Sequence, residues 1–193
     1  MILKEKFRNK KIILASNSPR RKQFLTDLGV TFSIQPANVN EEYPSFLKGK
    51  DIALYIAEQK ASVFSNIADD EIIITCDTVV WIDDTSLEKP QNKEDALQML
   101  QKLSGKTHEV ISAVCIKSKE KEMLFSDTTF VTFNQLSTED ILFYIETYQP
   151  YDKAGAYGIQ EWIGLVGIEK INGSYTNVVG MPMEKLYKNL NAF

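Results

Sequence analysis

Apolar positions follow two rhythms along this chain, and the switches between them mark its elements. Residues 12–15 form a short, wholly apolar run of the kind that makes a buried strand, and they lead through Ser16-Asn17-Ser18-Pro19 into a helical pattern over 20–28 that Gly29 closes. A second short strand is expected at 32–34. A polar loop carrying Asn40, Glu41 and Glu42 follows, and then a helix over 51–64. Residues 72–81 are rich in β-branched side chains, 83–86 read as a turn, and the chain returns from it to Lys89-Pro90. Asn92 caps a helix whose apolar positions are Ala96, Leu97, Leu100 and Leu103, with Gly105 after its end. Residues 109–117 and 123–133 pair as antiparallel strands across a charged turn. Both alternating sets of the first are apolar, so it belongs in the middle of a sheet. Ser137, with Asp140 three residues on, caps a helix over 141–148. A loop over 151–160 leads to short strands around 165–171, an Asn172-Gly173 turn, and a last helix opened by Pro182. Strands interleaved with helices, and hairpins in the second half, predict an α/β fold with a mixed β-sheet flanked by helices.

Length and charge narrow the picture. With 193 residues, 44% of them hydrophobic, the chain can bury one sizeable core, as one compact domain over 1–193 or as two lobes sharing a sheet. The formal net charge of −4 supplies no general basic field, so a polyanionic ligand must be met by a local group of cations. Stable nucleic-acid binding is therefore not expected. Cys76 and Cys115 lie apart in apolar runs and read as buried free thiols. The polar start MILKEKFRNKK is unlike a secretory signal and no apolar run has the length of a membrane span, so a soluble, cytoplasmic protein without a membrane partner is expected.

The chemistry concentrates at two places. Ser18 is a natural N-cap and Pro19 a natural first helical residue, so the backbone N–H groups at this helix start point outward. Arg20 and Arg21 then put two cations where the helix dipole favours anions. An external phosphate would relieve that conflict; two solvated arginines on an ordinary capped helix are the equal alternative. Asp77 sits within the most hydrophobic run of the chain, where an unpaired carboxylate costs several kcal/mol, so it must face a cation, a metal or a cleft. Glu41 and Glu42 lie in a loop, where a solvated pair is the default reading; one of them could instead supply a second carboxylate for an oxygen-ligated cation such as Mg²⁺. Lys60 shares the apolar face of its helix with Ile56, Val63 and Phe64, either snorkelling to solvent or pointing into a cleft. Lys89 and Lys153 read locally as surface lysines, and the single histidine, His108, as structural.

The stretches LASNSPRRKQFLTDLG, ANVNEE, IAEQKA, TCDTVV, EKP, LSGKTHEV, DKAGAYGIQ and INGSYTNVVGMP, in this order, resemble the Maf family of nucleotide pyrophosphatases over nearly the whole chain. The resemblance implies a Maf/ITPase-like fold of two lobes with a deep cleft and a tendency to form a homodimer. It also implies metal-dependent hydrolysis, with Mg²⁺ or Mn²⁺, of a nucleoside triphosphate substrate to monophosphate and pyrophosphate. It makes Asp77 the catalytic carboxylate, with Glu41 a second metal ligand, and Ser16, Arg20, Arg21, Lys60 and Lys89 the phosphate-binding site. Arg20, Thr78 and Gln160 resemble the dTTP/UTP group rather than the 7-methyl-GTP group, and a glutamine amide offers a donor and an acceptor to a thymine or uracil edge. The chain departs from the family pattern at Thr75-Cys76, where Gly-Ala is usual, at Asn40, and at Glu161, where a glycine normally follows the glutamine. Two roles are open to Asp77, taking a proton from the attacking water or binding the metal that lowers the water's pKa. A nucleotide-binding regulator of septum formation without turnover is the alternative from another functional class.

Overall fold

The structure is a computed structural model that describes residues 2–193. In chain order its elements begin with α1 (Leu3–Lys6), β1 (Lys11–Leu14), α2 (Pro19–Asp27), β2 (Phe32–Ile34), α3 (Lys50–Ser62), β3 (Glu71–Ile82) and β4 (Thr85–Leu87). They continue with α4 (Lys93–Leu103), β5 (Thr107–Lys117), β6 (Glu122–Phe133), α5 (Thr138–Tyr148), α6 (Trp162–Val166), β7 (Ile168–Asn172), α7 (Tyr175–Val179) and α8 (Met183–Ala192). A single 3₁₀ turn, Ala154–Ala156, lies between α5 and α6.

The seven strands form one mixed sheet in the order β2-β1-β3-β5-β6-β7, with β4 paired to β3. β1 runs parallel to both β2 and β3, and the other pairings are antiparallel. β5 is central, as its two apolar faces require, and is buried without a break from Val110 to Ile116.

Alternation along β3 and β5 sends successive side chains to opposite faces, and this divides the core. On one face Ile72, Ile74, Cys76, Val114 and Ile116 pack with Leu25 of α2 and with Leu186 and Leu190 of α8. Further along the same face Val80, Ile82 and Val110 pack with α4, α5 and the loop at Tyr157. Thr78 and Ser112, paired across the ladder, separate these two cores. The opposite face carries Val79, Ile111 and Ala113, covered by Ile52, Ala53, Ile56 and Ala57 of α3.

The strand lengths also leave a gap. β1 accompanies β3 only as far as Leu14 beside Ile74, and β4 joins the same edge only from Val80. The edge of β3 between those points has no neighbouring strand, and the cleft between the two lobes opens there.

Several sequence expectations shift. Leu165 and Val166 lie in helix α6 rather than in a strand, with β7 beginning at Ile168. A five-residue apolar segment is too short for a helical period to show, and its helix is fixed by packing: a Cβ on Gly164 would lie 1.8 Å from the Ile159 carbonyl oxygen. Thr85 and Ser86 belong to β4, so the turn is confined to Asp83 and Asp84, both at positive φ. α1 and α7 are short helices within stretches that carry no periodic signal.

Candidate active site

The cleft encloses about 520 Å³ between the two cores, a volume within the range of small-molecule sites. Ser16, Arg20, Arg21, Glu41, Lys60, Asp77, Thr78, Lys89 and Gln160 all line it. Chain segments far apart in sequence thus bring these nine residues to one place.

Asp77 points to the α3 face of β3, toward Lys60. The Lys60 ammonium donates to Asp77 Oδ1 at 2.8 Å and pairs with Glu41 Oε1 at 2.7 Å. Lys60 and Asp77 are each only 7% exposed, so these contacts are what make burying their charges tolerable. Of the two sequence alternatives for Lys60, it is the cleft that it enters. Partial burial pushes the Glu41 carboxyl up, but the Lys60 hydrogen bond and charge outweigh it, helped by Lys89 and Arg21, and hold it below the ordinary glutamate range. Glu42 lies outside this lining and faces a neighbouring recess with Asn40, Tyr43 and Glu88.

The start of α2 is built as its sequence requires, with Ser18 Oγ accepting from Arg21 N at 3.4 Å and Pro19 in the first turn. Its two arginines then diverge. Arg20 Nη1 pairs with Asp152 Oδ2 at 2.9 Å, across the cleft from α2. Arg21 turns inward and donates from Nε to Gly180 O (3.1 Å), from Nη1 to Cys76 O (2.8 Å) and Ser16 Oγ (3.3 Å), and from Nη2 to Thr78 Oγ1 (3.1 Å). It fills the gap in the β3 edge, satisfying a strand carbonyl that lacks a neighbouring strand. The protein therefore answers much of the dipole conflict itself: a carboxylate meets Arg20, and Arg21 is drawn away to carbonyls.

Thr78 continues this network. Thr78 Oγ1 and Ser112 Oγ share a 2.9 Å hydrogen bond in which either can donate, and each has a backbone carbonyl as a further acceptor, Gly180 O at 3.3 Å from Thr78 and Asn177 O at 3.0 Å from Ser112. Asn177, fully buried, accepts from Ser112 N and donates to Val110 O and Thr129 Oγ1. The Thr78 hydroxyl is thereby committed to the protein.

Two cleft residues escaped the sequence reading. Lys153, expected at the surface, is 8% exposed and sits between Asp152 Oδ1 (2.7 Å) and Glu161 Oε1 (3.0 Å). Asp152 itself lines the cleft. Nothing in their local composition distinguishes them; their place in the DKAGAYGIQ stretch is the only sequence signal. His108 is structural, as expected: it is buried beside Phe133, hydrogen-bonded through Nε2 to the Tyr157 hydroxyl, and burial lowers its pKa to about 4. Both cysteines are buried free thiols, and burial pushes that of Cys115 up to about 12.

Five cations (Arg20, Arg21, Lys60, Lys89, Lys153) and four carboxylates (Glu41, Asp77, Glu88, Asp152) line the cleft. It is close to charge balance. No group of three or more potential metal-ligating side chains occurs among the described residues. Asp77 and Glu41, converging on one ammonium, are an oxygen pair of the size Mg²⁺ uses when phosphate oxygens and waters complete its shell, so the donor set fits such a cation. No helix among the described residues is long and apolar enough to cross a membrane.

Residues 11–193 match the model of a family described as Maf-like protein. The chain is 50% identical over 187 residues to a dTTP/UTP pyrophosphatase of Flavobacterium psychrophilum, covering 96% of each chain. It is 52% identical over 190 residues to a protein of the same description from Flavobacterium johnsoniae, covering 98% of each. Among solved structures, a HAM1 protein from Coxiella burnetii is similar with a TM-score of 0.52 over 95% of this chain and all of that one. At 14% identity that likeness concerns the fold.

Proposed function

The chain belongs to the Maf-like protein family, and from that premise we propose that it hydrolyses dTTP and UTP to the nucleoside monophosphate and pyrophosphate within this cleft. The observation that carries the proposal is the pairing of Asp77 and Glu41 through Lys60 in a cleft that also presents Arg20, Arg21 and Lys89. Relatives about half identical over nearly the full length, described as dTTP/UTP pyrophosphatases, supply the substrate. The same proposal makes residues 1–193 one functional unit working in the cytoplasm.

Asp77 is the proposed catalytic carboxylate. Its Oδ1 accepts from Lys60, which leaves Oδ2 to take the proton of an attacking water. Glu41 and Asp77 would together hold a divalent cation, Mg²⁺ or Mn²⁺, which when bound lowers the pKa of coordinated water and offsets phosphate charge. A nearly charge-balanced lining makes such a counter-charge necessary, since a triphosphate entering alone would leave excess negative charge.

Lys89 is exposed on the lining and meets the polyphosphate directly. Arg20 exchanges Asp152 for a phosphate oxygen, a trade between two charge-assisted contacts. Arg21, its donors largely committed to the protein, contributes its charge at short range and keeps Ser16 and the start of α2 in place. Gln160 offers its amide to the pyrimidine edge. Thr78 acts on selection by fixing Arg21 rather than by contacting the base.

Incubating the purified protein with Mg²⁺ or Mn²⁺ and a panel of UTP, dTTP, CTP, GTP and 7-methyl-GTP, and quantifying pyrophosphate, tests this. Release chiefly from dTTP and UTP is expected. Release chiefly from 7-methyl-GTP would reassign the substrate, and none from any nucleotide would favour binding without turnover.

A further inference from the structure

Gln160 sits in a tight turn at the wall of the cleft. The turn spans Gly158 to Glu161 and is closed by Glu161 N donating to Gly158 O at 3.0 Å, with Ile159 and Gln160 as its central residues. One buried hydroxyl fastens both of its ends: Gly158 N donates to Tyr144 Oη at 3.0 Å, and Tyr144 Oη donates in turn to Glu161 Oε2. Tyr144 is fully buried in the core of the second lobe, so this anchor is rigid. The other oxygen of the Glu161 carboxylate pairs at 3.0 Å with the Lys153 ammonium, which also holds Asp152, and Asp152 binds Arg20. Gly158 completes the arrangement, because a Cβ there would lie 2.9 Å both from Gln160 Nε2 and from the Glu161 carboxylate carbon. The Gln160 and Glu161 side chains occupy the space that a larger residue at 158 would take.

We propose that Glu161, anchored by Tyr144 and Lys153, is a positioning residue for nucleobase selection: it holds the turn that presents Gln160 and couples that turn, through Lys153 and Asp152, to Arg20 on the phosphate side. The carboxylate is suited to this because one oxygen accepts from a hydroxyl and the other pairs with an ammonium, a two-point tie that a neutral, shorter side chain lacks. Glu161 is not part of the cleft lining, so it acts through Gln160, which is. The inference rests on the proposed dTTP/UTP hydrolysis.

Steady-state kinetics on UTP, dTTP and CTP for wild type, Glu161→Ala, Glu161→Gln and Gln160→Ala, and for the Gln160→Ala/Glu161→Ala double variant, test it. Wild-type release of pyrophosphate from UTP and dTTP comes first, since its failure sinks the reading of function rather than the role of Glu161. Given that activity, Glu161→Ala raises KM for UTP roughly tenfold and lowers the preference for UTP over CTP by a similar factor, with a much smaller fall in kcat, as expected when a positioning contact is loosened. Glu161→Gln, which still accepts from Lys153, recovers part of the preference. Adding Glu161→Ala to Gln160→Ala leaves selectivity where Gln160→Ala alone put it, because the two act on one function. Selectivity unchanged in Glu161→Ala, or a further loss of the same size in the double variant, would overturn the proposal. If Glu161→Ala fails to fold, Tyr144→Phe removes the shared hydroxyl while keeping the ring in the core, and the same shift in KM and preference is required of it.

Discussion

Asp77 and Thr78 are consecutive on β3, yet the faces they occupy are built differently. On the α3 side, Asp77 and Glu41 share one ammonium, and each carboxylate keeps an oxygen that Lys60 does not take. On the other side, Thr78 joins Arg21, Ser112, Asn177 and Thr129 in a chain of donors and acceptors that ends on backbone carbonyls. The first arrangement concentrates ionised groups whose partners can be exchanged for a cation, a water or a phosphate. The second distributes one guanidinium over neutral partners and leaves little to exchange. A cleft that must bind and release a highly charged ligand uses the first kind of site for chemistry and the second to keep the walls in place, and here a single strand supplies both by alternation.

The largest way to separate the two faces is Asp77→Asn. It keeps the shape and a hydrogen-bonding oxygen near Lys60 but removes the proton acceptor, so kcat should fall by about 10³-fold or more, while the variant still unfolds cooperatively, at a lower midpoint because Lys60 keeps only Glu41 as a charged partner. Turnover and denaturant unfolding, measured on one preparation, decide this; near-normal turnover would remove Asp77 from its proposed role.

A scaffold group should show the reverse pattern, with stability affected and chemistry spared. His108 is such a group. In the unfolded chain it titrates near 6.5 and in the folded protein at about 4, so between these values the unfolded state binds more protons. Its contribution is complete above pH 6.5 and is lost as the pH falls toward 4, by up to about 3 kcal/mol. Glu41 acts in the same direction, but it is half exposed and its share is small. Urea unfolding at pH 7 and pH 5 should show the loss, and His108→Gln should flatten it.

Arg21→Lys blurs the comparison from the network side. An ammonium cannot reach Gly180 O, Cys76 O and Thr78 Oγ1 together, so about 2 kcal/mol of stability should go, seen as a lower urea midpoint with an unchanged slope. Activity should fall with it, because the start of α2 loses its tie to β3. The smallest effect is expected of Gln160→Glu, which leaves both faces of β3 intact: the preference for dTTP and UTP should drop roughly tenfold, the loss of about one hydrogen bond, and an unchanged substrate profile would deny it the selecting role.

How far this division could be read from the sequence follows from where each signal resides. Ser18-Pro19 announces the helix start within four residues, and the apolar surroundings of Asp77 announce a carboxylate that needs a partner, so both ends of the site were legible locally. That Lys60 is the partner was half legible: helical spacing put it on the apolar face, but only the packing of α3 on β3 chose the cleft over solvent. The divergence of Arg20 and Arg21 was not legible at all, because it depends on a gap in the edge of β3 and on Asp152, which is distant in sequence. Lys153 was misjudged for the same reason, its burial being made by Asp152 and Glu161 together. In the fold, the long elements were read from their periods, whereas α6 and α7, five residues each, are set by tertiary packing and carry too few positions to display one.

The central claim is that water attacks a nucleoside triphosphate in this cleft with Asp77 as the essential carboxylate, and that pyrophosphate leaves. Product analysis of UTP turnover with Mg²⁺, run in parallel for wild type and Asp77→Asn, tests it most directly. UMP and pyrophosphate in equal amounts are expected from the wild type and essentially neither from the variant; UDP and orthophosphate as the products, or equal rates from both proteins, would refute this role of Asp77.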